Sequence, residues 1–365
     1  MAANGREPLG IGLVGCGRIS ETYVRTLAAH DEVRILRCAD LDPERARLIA
    51  DAAGAVASTV EELLADDLVE LVLNLTPPAT HAEVALAAIA GGKHVYGEKP
   101  LAADRGRARE VLDAAARSGL SVGCAPDTFL GRAWQRAREL VDAGAVGEPV
   151  AARATMLGPG PESWHPDPAF LYRPGGGPLL DMGPYYVSAL VALLGPVARV
   201  SASARITHEV RPVTGGPRAG DLLHVEVPTH VAALLELDSG AIATLVTSFD
   251  CWDDVGSIEL WGTEGTLLLP DPNEYDGVLR RRGRDARGTW EAVGEPPGAY
   301  SRGLGVVEMA QALRRGAPPR AGGELAFHVL DTLLAVLESA EAAAVADVTS
   351  RCRRPDPLVV PVWAG

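Results

Sequence analysis

The sequence predicts an α/β domain on a doubly wound parallel sheet, followed by an α+β domain in which helices accompany an antiparallel sheet. Three observations predict it. At 365 residues the chain exceeds what one hydrophobic core ordinarily serves, so two domains are expected. Up to Cys124, short apolar runs alternate with alanine-rich stretches of helical spacing, the pattern of βαβ units. Beyond Leu130, β-branched residues alternate with polar ones, the pattern of strands with one buried face. The division is placed at 1–128 and 129–365.

The strands of the first domain are Leu9–Val14, Arg34–Asp40, Glu70–Leu75, His94–Tyr96 and Ser121–Cys124. Helices Ile19–Ala29, Pro43–Ala53, Ala79–Ala90 and Asp104–Arg117 lie between them, most closed by a glycine soon after the last periodic residue. In the second domain a helix covers Ala133–Ala143, and strands fall within 149–156, 230–250 and 256–270. "ELDSGAIATL" sets a Ser-Gly turn between two alternating runs and reads as a hairpin. Helices Leu304–Arg314 and Glu324–Ala344 pack against one of the two domains. Segments 209–221 and 280–288 lack periodicity and are expected to be exposed loops. No internal repeat is visible.

Composition narrows the function classes. Hydrophobic residues make up 47% of the chain, ample for burial, and the net charge is 34 − 48 = −14 with histidines neutral. No Lys/Arg block stands out, so neither a nucleic acid nor an anionic membrane is an expected partner. Cys16, Cys38, Cys124, Cys251 and Cys352 lie far apart without a CxxC pair, which suggests neither a zinc site nor a disulfide framework. They read as reduced, mostly buried thiols, and no metal is expected. "MAANGREPLG" lacks an apolar run of signal-peptide length, and no later stretch reads as long and apolar enough to span a bilayer. The expected location is the cytoplasm.

"IGLVGCGRIS" places Gly15, Gly17 and Ser20 at the spacing GxGxxS, directly after a strand and at the mouth of a helix. Gly15 permits the tight turn. Gly17 admits a pyrophosphate onto free N–H groups at the helix N-terminus, with Arg18 and Ile19 in the same turn. Glycine-rich turns of this kind also occur for packing alone. Asp40 closes the second strand, where a carboxylate can bond a ribose 2′-hydroxyl. Leu41 and Asp42 follow it, so an added 2′-phosphate would meet negative charge, and NAD is favoured over NADP. The alternative for Asp40 is a strand-end turn or helix cap.

"LNLTPPATHAEVA" puts Thr76, Pro77, Pro78 and His81 at a strand end facing the crevice where doubly wound sheets bind ligands. His81 is equally well read as a simple helix-start residue. "KHVYGEKPLA" puts Glu98, Lys99 and Pro100 at the next strand end. Most lysines are surface charge, but the proline fixes φ and can aim Lys99 into the crevice. In "GGGPLLDMGPYY", three glycines precede Asp181 and Tyr185. With a helix starting near Asp181, the two are an i, i+4 pair on one face. As plain structure they are a first-turn acid and a core tyrosine.

Taken together in this order, GxGxxS, "TPPATH", "GKHVYGEKPLA" and "GGGPLLDMGPYY" resemble the glucose-fructose oxidoreductase/inositol dehydrogenase family, also called GFO/IDH/MocA, over nearly the full length. The resemblance implies an N-terminal Rossmann domain binding NAD and a C-terminal substrate-binding and oligomerisation domain on an open, mostly antiparallel sheet. It also implies a homodimer or homotetramer, a catalytic Lys99 and a cis bond before Pro100. The family motif has an aspartate followed four residues later by a histidine. Here the aspartate matches as Asp181, but the histidine position is Tyr185, as in relatives that handle keto sugars or intact glycosides.

A free phenol titrates near pH ~10 and an imidazole near ~6.5, so Tyr185 needs a neighbouring cation to act as a base near neutrality. Lys99 is the candidate. On this reading Tyr185 exchanges the substrate's hydroxyl proton, Lys99 bonds the same oxygen and Asp181 binds an adjacent hydroxyl. Oxidation is expected to favour alkaline pH. Asp127 and Thr128 in "CAPDTFLG" can reach the nicotinamide or a sugar hydroxyl, and Trp164, His165, Tyr172 and Arg173 ahead of the glycine run are further candidate substrate contacts, since sugars offer apolar C–H faces to aromatic rings. For Asp127 the alternative is an interdomain turn, and for His165 a loop contact. The expected function is an NAD-dependent oxidoreductase acting on a secondary hydroxyl, or the matching ketone, of a sugar, cyclitol or glycoside. The alternatives are a glycoside-cleaving enzyme using transient oxidation and a non-catalytic NAD-binding sensor.

Overall fold

The computed structural model describes residues 7–284, 288–293, 302–359 and 362. Two compact units emerge, Met1–Gly131 with Gly298–Leu330 and Pro355–Gly365, and Arg132–Pro297 with Asp331–Arg354. The expectation of two consecutive segments needs correction, because the chain returns to the first unit twice.

In the first unit the order is β1 (Leu9–Val14), α1 (Ser20–Leu27), β2 (Val33–Ala39), α2 (Pro43–Ala53), β3 (Val56–Ala57), α3 (Val60–Ala65), β4 (Leu71–Asn74), α4 (His81–Ala90), β5 (His94–Gly97), α5 (Arg105–Ser118) and β6 (Val122–Cys124). Among the described residues these six strands form one sheet in the order β3-β2-β1-β4-β5-β6, parallel at every pairing. Strands β1 and β4 are continuously buried, as expected of a sheet covered on both faces. The strand order reverses between β1 and β4, which opens a crevice at their carboxyl ends.

Local chemistry sets the helix ends. Asp42 caps α2 by accepting the Glu44 N–H (3.0 Å), and Gly54 ends it at φ 64°. Asp104 caps α5 by accepting the Arg107 N–H (2.9 Å). The short α3, absent from the sequence expectation together with β3, is held by a reciprocal box between Thr59 and Glu62.

The second unit runs α6 (Arg132–Asp142), β7 (Pro149–Leu157), α7 (Gly177–Leu194), β8 (Val197–Arg205), β9 (Val210–Pro212), β10 (Leu222–His224), β11 (His230–Leu237), β12 (Ile242–Ser248), β13 (Val255–Gly262), β14 (Gly265–Leu269), β15 (Leu279–Gly283) and β16 (Glu291–Val293). Helix α8 (Leu304–Arg314) belongs to the first unit, residues of α9 (Gly323–Ala342) fall in both, and β17 (Ala346–Asp347) closes the second. The described strands form a sheet ordered β16-β15-β14-β13-β7-β12-β11-β8-β17. It is antiparallel except for the parallel pair β7–β12. The fold class is therefore the expected one.

Two expected loops are corrected. Segment 209–221 contributes β9, which pairs with β10, because Arg211 is drawn inward by carboxylates distant in sequence. In 280–288, residues 280–283 belong to β15, while 285–287 lie outside the described residues. Helix α7 also corrects the expectation that no stretch is long and apolar enough to cross a bilayer. It meets that criterion by length and composition, and most of it is buried inside the protein as a core helix.

Candidate active site

The dinucleotide turn follows β1. Gly15 adopts φ 97°, and a Cβ there would stand 2.6 Å from the Leu75 carbonyl carbon, so conformation and space both demand glycine. Gly17 is different: among the described residues an added Cβ would meet no heavy atom within 4 Å, and its φ lies outside the left-handed region. The protein itself gives no reason for glycine at 17. A pyrophosphate lying against the turn does, and the group fits the cradle. Ser20 is buried and donates its hydroxyl proton to the Gly17 carbonyl (2.6 Å), fastening helix to turn. Arg18 is exposed and Ile19 half-buried.

Asp40 sits at the end of β2, where Oδ2 accepts the Cys16 N–H (2.7 Å) and Oδ1 the Asp42 N–H (2.9 Å). A carboxylate offers about four acceptor sites, so two remain for ribose hydroxyls. At the end of β4, buried Asn74, which the sequence reading missed, organises the next loop. Its Oδ1 accepts the Thr76 hydroxyl (2.6 Å), and its Nδ2 donates to the His81 carbonyl (3.0 Å). Thr76 is half-buried and Pro77 exposed. An asparagine ending a buried strand was the available signal.

The β5 end carries Glu98, Lys99 and Pro100, with the Lys99–Pro100 peptide cis. Glu98 accepts the Tyr23 hydroxyl of α1 at Oε1 (2.9 Å) and the Lys99 N–H at Oε2 (3.1 Å). Gly15, Gly17, Arg18, Ile19, Asp40, Thr76, Pro77, Glu98 and Lys99 thus share the carboxyl edge of one sheet.

Two candidates of this unit have other duties. His81 is 2% exposed, its ring lodged between the Pro100 and Thr76 carbonyls. Asp127 is fully buried, and its Oδ2 accepts the Gly305 N–H at the start of α8 (2.5 Å). It caps a helix from a distant part of the chain, which corrects its expected place as a substrate contact. Thr128 is buried beside it.

In the second unit the glycine run is required by the backbone. Gly175 and Gly177 take φ 90° and 85°, and a Cβ on Gly176 would stand 2.7 Å from the Leu171 carbonyl. The run feeds α7 at Gly177, earlier than expected, so Asp181 is the fifth helical residue rather than a cap. Asp181 and Tyr185 occupy one face of α7, four residues apart. Asp181 is half-buried and Tyr185 is buried.

Trp164 is 65% exposed and packs edge-on to His165 at 5.4 Å between ring centroids. His165 is half-buried, accepts the Asp167 N–H at Nδ1 (3.0 Å) and meets Phe170 edge-on. Arg173 is exposed. Tyr172 is a correction: it is fully enclosed among Leu171, Val213, Leu223, Val225 and Phe249, and burial, then the Glu162 charge, push its phenol up. It is a core residue.

Two family models match the chain, one described as the oxidoreductase family with an NAD-binding Rossmann fold, over residues 9–125, and one as the GFO/IDH/MocA C-terminal domain, over 134–268. The chain is 28% identical to 1,5-anhydro-D-fructose reductase of Ensifer adhaerens, covering 92% of this chain and 98% of that protein. It is 31% identical to dTDP-3,4-didehydro-2,6-dideoxy-alpha-D-glucose 3-reductase of Streptomyces violaceoruber, covering 84% and 86%. Among solved structures it resembles an NAD binding oxidoreductase from Klebsiella pneumoniae, with a TM-score of 0.82 and 25% identity over 94% of this chain and 100% of that one.

Proposed function

The chain belongs to the GFO/IDH/MocA family of oxidoreductases, and from that premise we propose that it interconverts a secondary hydroxyl and a ketone on a sugar, cyclitol or glycoside, with NAD as its cofactor. The relatives' activities on sugars support the substrate class. The observation that carries the proposal is Gly17, a glycine that no contact among the described residues requires, set in a turn bonded to the Asp40 carboxylate.

When bound, the nicotinamide supplies the hydride chemistry. The protein's part is to orient the substrate and manage its proton. Lys99 donates a hydrogen bond to the reacting oxygen and stabilises its developing negative charge. Tyr185 exchanges the proton of that oxygen, and Asp181 accepts a hydrogen bond from a neighbouring hydroxyl. The sequence supports the first role independently: lysine occurs only at 93 and 99, every other basic residue being arginine. A composition that prefers arginine this strongly, yet keeps lysine at 99, fits a position that needs a compact amine rather than a guanidinium.

Lys99→Arg is therefore expected to lower kcat by about 10²–10³-fold although the charge is kept, the usual cost of losing one oxyanion donor. Steady-state kinetics alongside NAD titration check it; near-normal turnover would remove Lys99 from the reaction. Asp40→Asn is expected to weaken NAD binding by about tenfold or more, since hydrogen bonds to a charged group contribute about 1.5–3 kcal/mol. It should also narrow the preference over NADP, because the carboxylate that repels a 2′-phosphate is gone. Titration with both cofactors reads the ratio, and an unchanged ratio would mean that Asp40 does not set it. The function itself is tested by a screen of sugars, cyclitols and glycosides with NAD and NADP at neutral and alkaline pH, following absorbance of the reduced cofactor. Tight NAD binding without oxidation of any member of the panel would refute the enzymatic reading.

A further inference from the structure

The turn carrying Lys99 is gripped from both sides by side chains. On one side Glu98 accepts the Lys99 N–H and is itself bonded by the Tyr23 hydroxyl. On the other, the His81 ring places Nδ1 2.6 Å from the Pro100 carbonyl oxygen and Nε2 2.7 Å from the Thr76 carbonyl oxygen. Asn74 anchors the backbone on that side, donating to the His81 carbonyl and accepting the Thr76 hydroxyl. The histidine thus bridges the loop after β4 to the loop after β5.

Both of its partners are peptide carbonyls, which accept protons and have none to give. A neutral imidazole carries one N–H, so it satisfies one carbonyl and turns a lone pair toward the other; a ring protonated on both nitrogens satisfies both.

We propose that His81 is a positioning residue for Lys99: its ring, lodged between the Pro100 and Thr76 carbonyls, holds Pro100 through Nδ1 and so fixes the turn from which the Lys99 side chain departs. The proposal rests on the catalytic role given to Lys99 above. Its clamp, however, is observable without substrate.

The scarcity of lysine makes the test direct. The full chain labelled with ε-13C-lysine gives resonances from Lys93 and Lys99, told apart by loss of one in Lys99→Arg. 15N-histidine labelling reports whether Nδ1 of the His81 ring carries a proton, assigned by its loss in His81→Asn. Glutamine at 81 retains a donor near the Nε2 position and loses the one at Nδ1, whereas asparagine retains the one at Nδ1. In His81→Gln the Lys99 signal is expected to move toward that of free lysine while Lys93 stays, and in His81→Asn it stays near its wild-type position. With a substrate in hand, His81→Gln is expected to lower kcat by about 10–100-fold, since small misplacements of a reacting group cost on the order of 10²-fold. NAD affinity should stay constant, and His81→Asn should recover most of the rate.

A His81 ring without a proton on Nδ1, or a Lys99 resonance unmoved in the glutamine variant, overturns the proposal. So does an equal loss of rate in both variants, which would make His81 a merely structural residue. If the substrate screen fails while the Lys99 resonance moves as described, the enzymatic reading falls and the clamp stands.

Discussion

Replacing Tyr185 by phenylalanine is expected to lower kcat by about 10²–10⁴-fold, the contribution of a positioned general acid or base, with the affinity for NAD unchanged. The substitution is a narrow one. Tyr185 is 6% exposed in α7, so the phenylalanine ring fills the same space and only the hydroxyl is lost. Tyr186 provides the comparison, because its hydroxyl donates to Asp271 Oδ1 at 3.0 Å. Removing that bond is expected to cost about 1 kcal/mol of stability and to leave turnover near wild type. Kinetics of both variants, with NADH titration, separate a phenol that reacts from one that packs. If Tyr185→Phe keeps more than about a tenth of kcat with NAD still bound, the proton-transfer role is wrong, since that loss is well below what acid–base catalysis contributes.

Arg211→Ala is expected to destabilise the second unit by about 3–5 kcal/mol, the usual consequence of removing one partner from a buried ion pair. Arg211 donates from Nε to Glu162 and from Nη1 to Asp250 Oδ1 (2.5 Å), and its Nη2 reaches the carbonyls of Pro159 (2.8 Å) and Phe249 (3.0 Å). Side-chain exposures are 11% for Arg211, 7% for Glu162 and 8% for Asp250, so alanine would strand two carboxylates away from water. Arg211→Lys should fall between, since an ammonium cannot reproduce the fork.

A pH effect follows from Asp250. Burial works to raise its carboxyl, but the Thr207 and Thr229 hydroxyls, each at 2.6 Å, and the Arg211 charge outweigh it and hold the group below the usual range. A carboxyl depressed in the folded state adds stability above its unfolded value, about 3.9, and loses it as pH falls through the folded value. The unfolding midpoint of the wild type should therefore drop on acidification below about pH 4, and less steeply in Arg211→Ala. A variant that melts like wild type would show the network to be dispensable.

Much of the scaffold could be read from the sequence because its signals are local. Strand β1 and helices α2 and α8 have the expected bounds, each defined by an unbroken apolar run or by helical spacing. Helix α3 also had a local signal, Thr59 followed by Glu62, but its six residues are too short for periodicity to show. The strand β9 had no local signal. It depends on Arg211, whose partners Glu162 and Asp250 are remote in sequence and become neighbours only in the folded unit.

The same distinction separates the candidate residues. Gly15, Gly17, Asp40 and Lys99 are set by strand ends that the sequence marks. Asp127 and His81 drew notice as polar residues near such ends and Tyr172 as an aromatic ahead of the glycine run, yet the structure engages them internally, with Gly305, with the Thr76 and Pro100 carbonyls, and with a hydrophobic cluster. Whether a polar side chain faces a ligand or the protein depends on partners that no short window contains.

The first unit is stitched together from both ends of the chain. Cys124 N–H bonds the Ala321 carbonyl (2.9 Å), Asp127 caps α8, and Arg314 pairs with Glu70 at 2.8 Å. A nascent chain emerging from the ribosome therefore exposes its cofactor-binding sheet, complete in strands but missing its closing helix, throughout synthesis of everything from Arg132 to Arg302. Premature termination anywhere in that interval should yield a fragment with an uncovered β6 edge, a substrate for chaperones and proteases rather than a small NAD-binding protein.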